Sequence, residues 1–110
     1  MAVLKIKPLA GDIDILESKV HSWLKKNLEK RYNPAWIYKA PSGRYARKGV
    51  PDFLVCIKGR FIAIEVKRVS GNPTPAQIEE LRKLNLSGAL SIILFGRNPE
   101  IFSIIDDYLE

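Results

Sequence analysis

The sequence predicts a mixed α/β domain in which a β-sheet is flanked by helices. Residues 49–68 contain two strand-like runs on either side of a Lys58-Gly59 pair, the pattern of a β-hairpin. Residues 89–95 are a nearly continuous apolar run, as expected for a buried central strand. Apolar residues between positions 13 and 31 recur at helical spacing. The predicted order of elements is α-β-β-β-α-β-α.

Length and composition indicate one folded domain with a polyanionic partner. The chain has 110 residues, enough for a modest core, so residues 1–110 are predicted to form a single domain. Residues 1–11 are interpreted as a weakly determined N-terminal arm. A hydrophobic content of 46% argues against disorder. The net charge of +6 favours binding to an acidic polymer, although simple solubility also accounts for it.

Two features of the sequence indicate the cellular compartment: its single cysteine and the length of its apolar runs. Cys56 cannot form an internal disulfide and lies among apolar neighbours, which is typical of a reducing compartment. No apolar run reaches membrane-spanning length, and the one at the start is too short for a secretory signal. We therefore expect a cytoplasmic protein with no membrane partner.

The first helix is predicted over residues 13–31, with Asp12 or Asp14 as its cap. Its buried stripe consists of apolar residues at helical spacing: Ile13, Leu16, Val20, Trp23, Leu24 and Leu28. Glu17 borders this stripe and needs a partner, which an ordinary lysine would also provide. His21 follows Glu17 by four residues, and pairing along the helix is favoured over metal ligation.

A strand and a basic loop follow the first helix. The strand covers residues 35–40, with Trp36 and Tyr38 on one face. Residues 41–51 are rich in glycine, proline and cations, and they lead directly into Asp52, so a phosphate bound by this loop would lie beside that carboxylate. The predicted nucleic-acid contacts are Lys39, Ser42, Arg44, Tyr45, Arg47, Lys48 and Arg68. A flexible, solvated turn is the alternative interpretation of the loop.

The hairpin brings three charged side chains together. Successive residues in a strand face opposite ways, so Glu65 and Lys67 share a face. A turn at residues 58–59 places Asp52 opposite Val66 or Lys67. Two carboxylates this close repel each other, and a hard cation such as Mg²⁺ relieves the repulsion. The pattern is that of a divalent metal site, and a surface ion pair on an edge strand is the other interpretation.

The remaining elements are a helix, a strand and a helix. Thr74 is predicted to cap the second helix, with Gln77 completing a capping box, and Gly88 ends it. The apolar strand comes next, and Asn98 with Pro99 caps the last helix.

The hairpin resembles a known nuclease signature. Asp52, preceded by Gly49-Val-Pro and followed by Glu65-Val-Lys67, resembles the PD-(D/E)XK motif. The Arg47-Lys-Gly-Val-Pro-Asp run resembles the VRR-NUC family of that superfamily. The resemblance implies a restriction-endonuclease-like core, with a mixed sheet flanked by helices.

The resemblance also implies a set of site residues. Asp52, Glu65 and the backbone carbonyl of Val66 would bind Mg²⁺ or Mn²⁺. Glu17 would bind the ion directly or through water. Lys67 would position the attacking hydroxide for in-line cleavage that leaves 5′-phosphate and 3′-hydroxyl ends. Gln77 would lie near the active site, and its two interpretations, helix cap and site residue, stay open.

Substrate and assembly are further implications of the resemblance. Stand-alone members of the family resemble virus-encoded or bacterial enzymes that dimerise and cut branched DNA such as four-way (Holliday) junctions. We therefore expect a structure-selective endonuclease that acts on DNA as a homodimer, in a bacterial cell or a virus-infected host cell. Trp36, Phe102 or the last helix would form the dimer contact. The alternative function is a non-catalytic basic module that binds nucleic acid by charge.

Overall fold

The protein folds as a five-stranded mixed sheet flanked by three helices, in a computed structural model that describes residues 2–43 and 45–110. The elements are β1 (Leu4–Ile6), α1 (Glu17–Arg31), β2 (Trp36–Lys39), β3 (Phe53–Ile57), β4 (Arg60–Lys67), α2 (Pro75–Leu86), β5 (Leu90–Phe95) and α3 (Glu100–Leu109). The strand order is β1-β5-β4-β3-β2. Strands β1, β5 and β4 run parallel, and β4, β3 and β2 are antiparallel. The predicted α/β class is confirmed.

All seven predicted elements occur in the predicted order, and β1 is an additional strand. Leu4–Ile6 pairs parallel with β5 within the stretch that the sequence analysis interpreted as an arm. Its three residues are too few to show a strand period, and only Ile6 among them is buried. Tertiary pairing with β5 therefore defines this strand.

The two faces of the sheet carry separate cores. Ile62, Ile64 and Val66 of β4 belong to a large cluster that includes apolar residues of α1 and α3. Ala63, on the other face of β4, packs with Leu81 of α2. Alternation along β4 therefore directs one face to α1 and α3 and the opposite face to α2.

The β3–β4 hairpin turns at Lys58 and Gly59, as predicted. Both residues have positive φ, 52° and 78°, as a two-residue hairpin turn of this hand requires. The register pairs Phe53 with Ile64, which brings Asp52 opposite Glu65. The predicted position of Asp52, opposite Val66 or Lys67, is one or two residues too far along β4, because the tight turn pairs Ile57 directly with Arg60.

Helix α1 begins at Glu17, four residues later than predicted. Neither Asp12 nor Asp14 caps it, since Leu16 occupies the N-cap position without a side-chain hydrogen bond. The Asp14 carboxylate instead accepts hydrogen bonds from Arg68 and Ser70 in the segment after β4. A guanidinium and a hydroxyl are stronger partners for a carboxylate than a helix terminus, which explains the late start.

The buried stripe of α1 is shorter than predicted. Val20, Leu24 and Leu28 are fully buried, whereas Ile13 and Leu16 precede the helix and are 63% and 59% exposed. The stripe therefore starts one turn after Glu17. In the residues that the structure describes, no helix is both long and apolar enough to cross a membrane.

The later helices start close to the predicted positions. Thr74 caps α2, and the reciprocal bonds with Gln77 complete the predicted capping box. Pro99 rather than Asn98 occupies the N-cap position of α3, but the Asn98 side chain accepts a hydrogen bond from the Glu100 N–H and donates one to the Lys7 carbonyl. Asn98 thereby joins α3 to the segment after β1.

Candidate metal centre

Asp52 is held at the junction of β3 and β4. Its Oδ2 accepts a hydrogen bond of 2.8 Å from the backbone N–H of Val66. Its own carbonyl accepts a 2.8 Å bond from Ala40, at the end of β2. Burial raises the pKa of Asp52, but the His21 imidazole and the Val66 N–H together lower it below its usual value. Asp52 is therefore a fixed, ionised carboxylate at neutral pH.

Glu65 is a buried carboxylate, and one of its two oxygens lacks a hydrogen-bond partner in the described part of the chain. It is 2% exposed, and its Oε1 has no hydrogen-bond partner among the residues described. Burial and the charge of Asp52 raise the pKa of Glu65 to about 8, while Lys67 lowers it in part. A buried polar atom without a partner is costly unless a ligand satisfies it.

Lys67 lies beside Glu65 on the same face of β4. Its Nζ is 3.5 Å from Glu65 Oε2, and the residue is 8% exposed. The predicted grouping of two carboxylates and one ammonium is thus present in the structure. With two carboxylates and one lysine, the group keeps a net negative charge when both acids are ionised.

The first turns of α1 supply two further donors. Ligand atoms of Glu17, His21 and Asp52 all lie within 4.8 Å of one another. His21 Nε2 is 3.4 Å from Asp52 Oδ2, and its ring packs edge-on against Phe53, with the centroids 5.7 Å apart. This end of α1 therefore faces the start of β3.

His21 is the site residue that the sequence analysis did not select. It was assigned to pairing along the helix, whereas the structure places it beside Asp52. The available signal was its spacing from Glu17, because residues four apart share a helix face. If Glu17 faces the metal site, His21 on the same face of α1 therefore faces it as well.

Val66 and Gln77 occupy different positions relative to the carboxylates. Val66 is fully buried between Glu65 and Lys67 and pairs with Leu94 of β5. Gln77 Oε1 accepts a 2.8 Å hydrogen bond from the Thr74 N–H, which confirms its role in the cap. A further role for Gln77 near the reaction centre stays a prediction.

The start of α2 packs closely on the loop that precedes Asp52. Gly49 has a φ of +79°, and a Cβ at this position would lie 2.5 Å from the carbonyl oxygen of Ala76 and 3.2 Å from the backbone nitrogen of Gln77. Glycine is required for this approach because any side chain would meet backbone atoms. Gly49, three residues before Asp52, thereby allows the first turn of α2 to pack against this loop.

Most of the predicted nucleic-acid residues are exposed, and two of them are in ion pairs. Ser42, Tyr45 and Lys48 are exposed in the loop, with Tyr45 94% exposed. Lys39 ends β2 and is exposed, with its Nζ 5.9 Å from the Phe53 ring centre. Arg44 lies outside the described residues.

Two of the predicted contacts are arginines that already form ion pairs. Arg47 pairs with Glu80 of α2, although 73% of its side chain stays exposed. Arg68 Nε lies 3.0 Å from Asp14 Oδ1. Because Arg68 directly follows Lys67, its pairing holds the segment next to the carboxylates in place.

The fold is similar to that of a solved structure described as a VRR_NUC domain. The two chains are 26% identical in sequence, and the match covers 84% of this chain and 96% of that chain, with a TM-score of 0.63. The protein-family models and the curated proteins give no significant match. The similarity therefore covers nearly all of that domain and most of this chain.

Proposed function

We propose that this chain, which is similar to a solved VRR_NUC domain, is a metal-dependent nuclease that hydrolyses phosphodiester bonds of DNA. The observation that carries the proposal is the buried, unpartnered carboxylate oxygen of Glu65, opposite Asp52 and beside Lys67. A cation between the carboxylates would give it a partner and offset their repulsion.

The donor set fits a divalent cation. Asp52 and Glu17, which offer carboxylate oxygens within 4.8 Å of each other, would hold the ion, and Glu65 and the backbone carbonyl of Val66 would be further ligands. All of these donors are oxygens, the ligands that Mg²⁺ and Mn²⁺ accept. When bound, the ion would supply positive charge to the phosphate and make bound water more acidic.

The chain's own residues would complete the reaction centre. Lys67 offers N–H donors next to Glu65 and would orient the attacking water and stabilise charge on the phosphate. The water oxygen would bond to phosphorus as the bond to the 3′ oxygen breaks, leaving 5′-phosphate and 3′-hydroxyl ends. Gln77, at the start of α2, would position the loop before Asp52 and approach the substrate.

The basic loop would bind the DNA backbone. Lys39, Ser42, Tyr45 and Lys48 are exposed near Asp52, and the net charge of +6 favours a polyanion. Arg47 and Arg68 would contact phosphate without leaving their ion pairs, since each keeps an exposed part of its side chain. Arg44 belongs to the same loop in the sequence.

We further propose that the protein is a homodimer that cuts branched DNA such as four-way junctions, in the cytoplasm of a bacterial cell or a virus-infected host cell. Trp36 and Tyr38 favour a contact through the edge strand β2, because their rings are stacked at 5.7 Å and are 55% and 43% exposed. Phe102, also expected as a contact, is only 2% exposed and cannot contribute.

The test is cleavage of labelled four-way junction, linear duplex and single-stranded DNA with Mg²⁺, with Mn²⁺ and with chelator. Metal-dependent, paired nicks in the junction would support the full proposal. Metal-dependent cleavage of all three substrates would support the nuclease and reject junction selectivity. Salt-sensitive binding without cleavage in either metal would overturn the enzyme in favour of a basic binding module.

A further inference from the structure

His21 has an unusual environment for a helix-surface histidine. Its Nε2 is buried and has no hydrogen-bond partner in the described part of the chain, although Asp52 Oδ2 is only 3.4 Å away. That oxygen already accepts a hydrogen bond from the Val66 N–H. The contact between Nε2 and Oδ2 lacks hydrogen-bond geometry, so within the described residues Nε2 is left for a ligand.

The spacing of the donors matches that of ligands around one ion. Two donor atoms about 2.1 Å from an ion lie about 3.0 Å apart at a right angle and about 3.4 Å apart at a tetrahedral angle. His21 Nε2 and Asp52 Oδ2 are 3.4 Å apart, and Glu17 provides a third donor within 4.8 Å of both. The histidine and aspartate atoms therefore lie at a separation that shared coordination needs, and Glu17 is near enough to join them by a small side-chain adjustment.

Two observations outside this cluster point to the same ion. Glu65 is 2% exposed, one of its oxygens has no partner among the described residues, and it faces Asp52 across the hairpin. The His21 ring is held edge-on by Phe53, which is itself 1% exposed. A fixed ring with a free, buried nitrogen is a preorganised ligand rather than a mobile surface group.

We propose that His21 is a nitrogen ligand of the metal ion and that the centre therefore prefers first-row transition ions to Mg²⁺. This inference rests on the proposed function, since both place the ion at Asp52. Imidazole nitrogen binds Mn²⁺, Co²⁺ or Zn²⁺ better than it binds Mg²⁺, which favours oxygen and water. The carboxylates would then provide charge, and His21 would provide selectivity.

The decisive measurement is the electron spin-echo spectrum of Mn²⁺ bound to the untagged protein. His21 is the only histidine in the sequence, so an imidazole nitrogen coupled to the bound ion can come from no other side chain. We expect strong nitrogen modulation in the native protein and its loss in His21→Gln. The native measurement does not depend on whether the variant folds.

Binding affinities provide a second readout. His21→Gln should weaken Co²⁺ and Mn²⁺ binding by at least about tenfold in calorimetry, while Mg²⁺ binding changes by less than about threefold. Ser22→Ala, at an exposed position of the same helix, is the matched control and should leave all three affinities unchanged.

The outcomes separate this inference from the proposed function. Stoichiometric Mn²⁺ without imidazole modulation, in a protein that cleaves DNA with metal, would overturn His21 ligation and leave the nuclease in place. Absence of any bound divalent ion, together with absence of cleavage, would overturn both. Equal weakening of Mg²⁺ and Co²⁺ binding in His21→Gln would reject the proposed selectivity.

Discussion

The Asp52 carboxylate accepts a 2.8 Å hydrogen bond from the backbone N–H of Val66, and this bond joins the start of β3 to the end of β4. It fixes one carboxylate against the strand that carries Glu65 and Lys67. The position of Asp52 therefore depends on backbone geometry rather than on a flexible side-chain contact. This rigidity is what a preorganised centre requires.

Lys67→Ala should reduce DNA cleavage at least about a hundredfold, because it removes a charged donor that would act on the phosphate and the attacking water. DNA affinity should stay close to native, since the basic loop is unchanged. Lys30→Ala, at the other end of α1, is the matched control and should cleave normally. Cleavage at native rates by the Lys67 variant would contradict the proposed mechanism.

Glu65 should make stability depend on pH when chelator removes all metal. Below its ordinary pKa of 4.5 the carboxyl is protonated in both the folded and unfolded states, so it has no effect. As the pH rises toward about 8, the unfolded chain releases this proton first, and folding loses on the order of 5 kcal/mol at most. Above that pH the loss stays constant.

Glu65→Gln isolates this effect. In chelator at pH 8 the variant should unfold at a higher urea concentration than the native protein, and near pH 4.5 the difference should disappear. Adding Mn²⁺ should raise the Tm of the native protein but not that of the variant. Parallel pH profiles for the two proteins would show that Glu65 is not the origin of the dependence.

Gly49→Ala should destabilise the protein by roughly 2–4 kcal/mol, because the new Cβ would combine a positive φ with a clash against the Ala76 carbonyl. Gly59→Ala is the matched control, since it has nearly the same φ, +78° against +79°, and no described atom lies within 4 Å of its Cβ position. It should cost only about 1 kcal/mol. Urea unfolding measures both, and equal losses would refute the role assigned to the close approach.

Asp14→Asn should increase DNA affinity, because it releases the Arg68 guanidinium and adds one unit of net positive charge. The pKa of Asp14 is lowered by Ser70 and Arg68, so this restraint on Arg68 exists above the usual pKa of 3.8 and is lost as pH falls. Asp107→Asn changes the net charge equally at an exposed position of α3. Fluorescence anisotropy at several salt concentrations should show the larger gain for Asp14→Asn, and equal gains would mean that releasing Arg68 from Asp14 adds no DNA contact.

Local sequence signals predicted the hairpin and the capping box because each depends on a few neighbouring residues. The Lys58-Gly59 turn and the alternation along β4 determine which side chains share a face. The Thr74–Gln77 box likewise forms within four residues. These features need no knowledge of the rest of the fold.

The structure differs from the sequence-based prediction where a side chain or strand contacts a distant segment of the chain. Asp14 binds Arg68, 54 residues away, instead of capping α1. His21 lies beside Asp52 because α1 packs across the start of β3, which no local spacing reveals. Strand β1 exists only through its pairing with β5. Each of these contacts is long-range, and tertiary packing overrides local preference there.

Strand β1 pairs with residues 92–94 in the middle of β5. It covers the free edge of β5, whose sequence from Leu90 to Phe95 has high β-propensity and carries no charge. An uncovered edge of this composition is a template for cross-β assembly between chains. The pairing of Leu4–Ile6 with β5 therefore blocks edge-to-edge contact between chains at this position. We expect deletions or fusions that displace β1 to reduce solubility even where the metal centre stays intact.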